Sequence, residues 1–249
     1  RLFFDRYFLK IGINNLSPVC KLVTYKKPKV DMFNPTCIPR IRKASWVRYF
    51  YIHLISMPDR QALRKRLLRQ RSQLDRMQQI SASARITEQL SQHSLFLTRH
   101  AIATYIPIHL EIDPSALIKQ AWQYHKRCYL PILQGQQLIF GAYQADTRFK
   151  KNRFNIPEPI DSADTLIAPE ALDLVLVPLV GFTLQGQRLG MGAGFYDRSF
   201  AFLLKQARPT RPFLLGLAYE WQKLASFSEE SWDVPLNAVL TEEKFYFCR

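Results

Sequence analysis

LDLVLVPLVGFTLQGQRLGMGAGFYDRS, residues 172–199, is the stretch on which the reading of this chain turns. Leu174–Val177 is an unbroken apolar run, the pattern of a strand buried on both faces of a parallel sheet, and Pro178 interrupts it. Four of the chain's nine glycines follow between Gly186 and Gly194. Glycine tolerates positive φ and lets a backbone come close to a ligand. Exposed N–H groups in such a loop can cradle an anion. Arg188 adds a planar cationic fork suited to phosphate, and Asp197 adds hard oxygens suited to Mg²⁺. The Walker pattern GxxxxGK[ST] is absent, and Phe195 stands where a dinucleotide fingerprint needs its third glycine. A tight turn between a core strand and a surface helix is the plain structural alternative.

Outward from this run, strands and helices alternate. Pro58 and Asp59 suit a helix start, and Leu63, Leu67, Leu74 and Met77 form an apolar stripe amid Arg60, Arg64, Arg66, Arg69 and Arg71. This predicts a helix over 59–80 and a second over 82–93. Residues 101–106 read as a buried strand, and Asp113-Pro114 starts a helix whose apolar face is Leu117, Ala121 and Tyr124. Strands are expected over 128–133 and 137–142, then a long polar connection over 144–170. Further elements are a helix over 194–208, a strand over 213–217 and a last strand at 239–240. The expected fold is an α/β three-layer sandwich with a mainly parallel sheet. Ligands of such sheets bind beyond the carboxyl ends of the strands, where the glycine loop would lie.

Charge divides the chain in two. Residues 1–56 hold eleven Lys/Arg against two Asp/Glu, a net +9, whereas 57–249 hold twenty-four against eighteen, a net +6. The first segment has neither helical nor strand periodicity and mixes Pro, Cys, Lys and aromatics. It suits neither a secretory signal nor an amphipathic presequence. We expect 1–56 to be a basic extension, disordered or translated from upstream of a natural start at Met57, with a nucleic-acid-binding arm as the rival. Residues 57–249 are expected to form a single catalytic domain, monomeric and cytoplasmic, binding neither nucleic acid nor membrane. No run approaches the ~18 apolar residues of a membrane helix. Cys20, Cys37, Cys128 and Cys248 lie far apart without a CxxC pair, which speaks for a reducing compartment and against a zinc site.

Leu176–Phe182 continued through Arg188-Leu-Gly-Met-Gly-Ala-Gly-Phe-Tyr-Asp197 resembles the 5-formyltetrahydrofolate cyclo-ligase (methenyltetrahydrofolate synthetase) family. Supporting matches follow in order: Arg60-x-x-Leu63-Arg64, Glu111-Ile-Asp113, Cys128–Pro131, Ile156–Pro159 and Gly216–Tyr219. The resemblance covers 57–249 and implies a fold related to the ribose-phosphate isomerase and CoA-transferase group. It implies Mg-ATP-dependent closure of 5-formyltetrahydrofolate to 5,10-methenyltetrahydrofolate, through phosphorylation of the formyl oxygen, with release of ADP and phosphate. By this resemblance Arg60, Arg64, Arg188, Leu189, Gly190, Met191, Gly192, Ala193, Gly194, Phe195 and Tyr196 surround ATP, with Arg188 and Tyr196 catalytic. Glu111 and Tyr196 hold the folate. Asp197 ligates Mg²⁺, and Asn237 matches the position of a second ligand, with Asp233 able to substitute. The sequence departs from the family where Arg60 replaces a Lys, Phe195 a Tyr and Asn237 a carboxylate. A sugar-phosphate or CoA-ester enzyme on a related fold, and a basic nucleic-acid-binding protein, are the rival readings.

Overall fold

The computed structural model describes residues 59–160, 165–205 and 211–248, so the expectations for 1–56 lie outside the described residues. Asp59 caps the first helix, α1 (Arg60–Arg71), by accepting from the Ala62 N–H at 3.0 Å. The chain then breaks at Ser72–Leu74 and restarts as α2 (Arg76–Ser91). The single helix expected over 59–80 is therefore two. The reason is local: Asp75 and Gln78 form a reciprocal capping box, which favours a new helix start over continuation. Next come α3 (Ser94–Thr98), β1 (Ala101–Ala103), α4 (Ser115–Gln123), β2 (Arg127–Gln134) and β3 (Gln137–Ala142). The expected loop over 144–170 contains a small hairpin of β4 (Phe149–Lys151) and β5 (Pro157–Pro159).

The central strand β6 (Leu174–Pro178) is followed by a second hairpin, β7 (Gly181–Phe182) with β8 (Arg188–Leu189), which leads into the glycine loop. The helix expected over 194–208 is only α5 (Phe195–Ser199), continued by a 3₁₀ turn over Ala201–Lys205. Phe200 leaves helical geometry at φ −107° and is fully buried, 6.1 Å from the Phe140 ring, so packing ends the helix. After β9 (Phe213–Leu217) and β10 (Ala238–Leu240), an unexpected edge strand β11 (Phe245–Phe247) completes the main sheet.

That sheet has the order β11-β10-β9-β6-β1-β2-β3, parallel from β10 to β2, with antiparallel strands at both edges. Strand alternation divides its core. Leu174, Leu176, Leu215 and Leu217 meet residues of α2, α3 and α4, such as Ile86, Phe96 and Leu117. Val175, Val177 and Leu214 meet Phe182, Phe200 and Leu203 on the other face. Helical layers on both faces of a mainly parallel sheet match the expected α/β architecture. Strand order reverses at β1, which has β2 on one side and β6 on the other. Their carboxyl ends there form the crevice in which such folds place ligands.

Candidate active site

Two sequence-distant arginines meet at the glycine loop. Arg64 donates from Nε to the Gly190 carbonyl at 2.7 Å, spanning 126 positions. Arg188 lies so close that a Cβ on Gly190 would sit 2.8 Å from its Nη1. Gly192 has φ +102°, a conformation L side chains rarely adopt, and a Cβ there would meet the Arg64 guanidinium. Met191, Gly192 and Ala193 form the exposed tip. Arg198 straps the loop down by donating to the Ala193 carbonyl and to the Gln136 carbonyl, both at 2.7 Å.

Arg188 is 9% exposed, lies 5.4 Å from the Tyr196 ring centroid and donates to Asp197 Oδ1 at 2.7 Å. The same carboxylate oxygen accepts the Val234 N–H at 3.3 Å. Arg60 forms a second such pair, with Asp233, and also donates to the Ser228 carbonyl at 3.3 Å. Burial, and then the charge of Arg60, push Arg64 below its ordinary range. The loop Ser228–Leu236 thus touches both Asp197 and Arg60. Asn237 is placed otherwise. Its Oδ1 accepts the Leu214 N–H at 2.7 Å, which ties β9 to the start of β10. The oxygen of Asn237, expected at the second metal position, is engaged in closing a strand end, whereas the carboxylate of Asp233 reaches Arg60.

The Leu189 side chain, expected at ATP, is fully buried with Leu63, Leu67, Val180 and Phe227, so it packs α1 on the hairpin. Tyr196 stacks on Phe200 at 6.2 Å, and burial raises its phenol well above the ordinary range. Phe195 meets Phe154 edge-on at 5.8 Å, with Arg153 over both rings. Phe154 and Arg153 were missed in the sequence, although they adjoin the Ile156–Pro159 motif. The buried Cys128 thiol is pushed up to about 12 by desolvation, in keeping with a packing role. Trp232, next to Asp233 in sequence, is 61% exposed.

Glu111 is 5% exposed on the loop between β1 and α4. Its Oε2 accepts the Ile108 N–H at 3.1 Å and its Oε1 lies 3.4 Å from Arg71 Nη2. Burial raises this carboxyl above the ordinary range, while Arg71 and the Ile108 N–H oppose the rise. A cavity of about 270 Å³ opens at the carboxyl end of β1, lined by Thr104, Tyr105, Ile106, Tyr143, Phe149 and Pro157 among others. Thr104 Oγ1 is buried there with no hydrogen-bond partner among the described residues. A larger hollow, about 430 Å³, lies between α2 and the Tyr219–Trp221 pair. The smaller cavity is the one that lies at the switch point, where sheets of this kind place ligands.

Among the described residues no group of three His, Cys, Asp or Glu side chains could hold a metal ion alone. Mg²⁺ usually binds through one or two carboxylates together with substrate phosphates, and Asp197 and Asp233 fit that demand.

The fold and site define an α/β protein with a glycine-rich loop held between arginines and, at the carboxyl end of β1, a cavity with aromatic side chains in its wall. Residues 56–242 match the model of the 5-formyltetrahydrofolate cyclo-ligase family, and the chain belongs to that family. It is 36% identical over 189 residues to the 5-formyltetrahydrofolate cyclo-ligase of Haemophilus influenzae, covering 73% of this chain and 96% of that one. It is 37% identical over 150 residues to the Escherichia coli K12 protein of the same name, covering 59% and 80%. The structure of Aquifex aeolicus 5,10-methenyltetrahydrofolate synthetase superposes with a TM-score of 0.66 at 28% identity, covering 76% of this chain and 93% of that one.

Proposed function

We propose that this chain converts 5-formyltetrahydrofolate to 5,10-methenyltetrahydrofolate at the expense of ATP. The observation that carries the site assignment is the meeting of Arg64 and Arg188 at Gly190, which concentrates positive charge on an exposed glycine-rich tip. The formyl oxygen of an amide is a poor leaving group. Its attack on the γ-phosphorus breaks the bond to ADP and converts that oxygen into a phosphate ester. The second folate nitrogen then attacks the formyl carbon, loses its proton, and closes the five-membered ring as phosphate departs.

Phosphoryl transfer of this kind needs positioning and charge neutralisation more than covalent help. The loop Gly190–Gly194 offers main-chain N–H groups to the polyphosphate. Arg188, Arg64 and Arg60 neutralise charge as it moves. Mg²⁺, when bound with ATP, would screen the phosphate charges from Asp197 and Asp233. Asp197 and Asp233 would be the residues that hold it, and Arg188 and Arg60 would contact the nucleotide phosphates beside them. Glu111 accepts the amino-pyrimidine edge of the pterin, Tyr196 orients the formyl group, and the cavity at Thr104–Ile106 receives the remaining rings. The same reading has the enzyme acting as a cytoplasmic monomer, expectations carried by its sequence alone.

The test is the absorbance rise of methenyltetrahydrofolate when the full chain receives 5-formyltetrahydrofolate with Mg-ATP. ATP-dependent product with matched ADP release is expected. A folded sample that yields none excludes the proposal, and product formed equally without ATP excludes the phosphoryl-transfer route.

A further inference from the structure

Arg71 ends α1 and is 1% exposed, although its sequence context reads as a solvated basic helix face. Its Nη1 donates to the Leu179 carbonyl at 3.1 Å, just past β6, and its Nη2 reaches Glu111 Oε1 at 3.4 Å. One guanidinium thereby touches the helix that carries Arg60 and Arg64, the strand that feeds the glycine loop, and the carboxylate assigned to the folate. Fold stability alone is a poor reason for it, since apolar replacement of a buried ion pair is often neutral or stabilising.

The main chain around Glu111 is fastened without Arg71. Tyr219 donates to the Leu110 carbonyl at 2.8 Å, Gln79 to the Glu111 carbonyl at 2.6 Å, and Tyr105 to the Ile112 carbonyl at 2.7 Å. The Asp113 N–H donates to Ser83 Oγ at 2.9 Å. What Arg71 adds is control of the side chain. A carboxylate has two acceptor sites on each oxygen. Arg71 takes one site on Oε1 and the Ile108 N–H one on Oε2.

We propose that Arg71 is a positioning residue for the folate: it fixes the plane of the Glu111 carboxylate, leaving one acceptor site on each oxygen for the paired N–H donors of an aminopyrimidine. This rests on the reading of Glu111 as the folate anchor. Arg71 also favours the ionised carboxylate against burial. The other ionisable groups around Glu111 are Tyr105, Tyr196 and Tyr219, with Asp113 on its own loop.

Steady-state kinetics of the full chain test this with Arg71→Met, Arg71→Lys, Glu111→Gln and the Arg71→Met/Glu111→Gln double variant. Arg71→Met is expected to raise the folate KM by about tenfold or more while the ATP KM stays within about threefold, and the double variant to be no worse than Glu111→Gln. The folate KM of the wild type should rise on acidification. That rise should move to higher pH in Arg71→Met and stay in place in Arg71→Lys. Equal changes in both KM values, an Arg71→Met effect undiminished in the Glu111→Gln background, or an unmoved pH profile would overturn the proposal. If Arg71→Met does not fold, Arg71→Lys decides: it keeps the charge but loses the two-pronged contact, so an unchanged folate KM overturns the proposal too. A Glu111→Gln variant with unchanged folate KM refutes the anchor itself, a result distinguishable from failure of Arg71 alone.

Discussion

Asp197 and Arg188 form one polar unit: each limits the other's charge, and Val234 N–H fixes the carboxylate from a third side. Removing either leaves its partner partly buried and uncompensated, beyond any loss of contact with ATP. Arg188→Ala and Asp197→Ala are each expected to lower kcat by about 100-fold or more, in the range found when a developing charge loses its stabilising donor. Near-normal turnover in either would remove that residue from the chemistry. At this scale the glycines, Arg188 and Asp197 were legible in the sequence because their types are rare and close together. Arg71 was not. An arginine among six other Lys/Arg of α1 and its flanks carries no sequence mark of burial, and only its partner, forty positions away, distinguishes it.

Strand β8 shows how an element divides labour. Successive residues of a strand point to opposite faces, so Arg188 reaches Asp197 while Leu189 fills the cluster beneath α1. Leu189→Ala is expected to destabilise the protein by about 2–5 kcal/mol, as for a fully buried leucine. Met191→Ala, at the exposed tip, should change stability by no more than ~0.5 kcal/mol. Chemical denaturation would check both, and a small loss at Leu189 would overturn its core role. The β7–β8 hairpin itself escaped sequence reading because two-residue strands have no period to detect. The long helix expected after Gly194 failed for a related reason: the helical pattern continues, yet burial of Phe200 outweighs it.

Across the whole molecule, the parallel core strands depend on edge strands that follow or interrupt them in sequence. β11 pairs with β10, sets the Tyr246 ring 5.9 Å from Phe182, and brings Cys248 against Gly186 at the hairpin turn. Removal of residues 244–249 is expected to bare the β10 edge, which is a template for association, and to loosen the hairpin that carries Arg188. The midpoint of thermal unfolding should fall by about 4 °C or more, with concentration-dependent aggregation. An unchanged midpoint would show that the sheet ends at β10, as the sequence reading had it.

By itself the sequence determined the alternation of strands and helices, the parallel core around Leu174–Pro178 and the glycine-rich loop that follows it. Each is a local matter, set by hydrophobic period, glycine spacing and residue type within a short window. Only the tertiary structure decided that Arg64 reaches Gly190, that Asp233 pairs with Arg60 while Asn237 closes a strand end, that the Leu189 side chain is core, and that Arg71 meets Glu111. Those outcomes depend on which strand ends lie side by side, and side-chain partners tens to more than a hundred positions apart leave no periodic signal in a single chain.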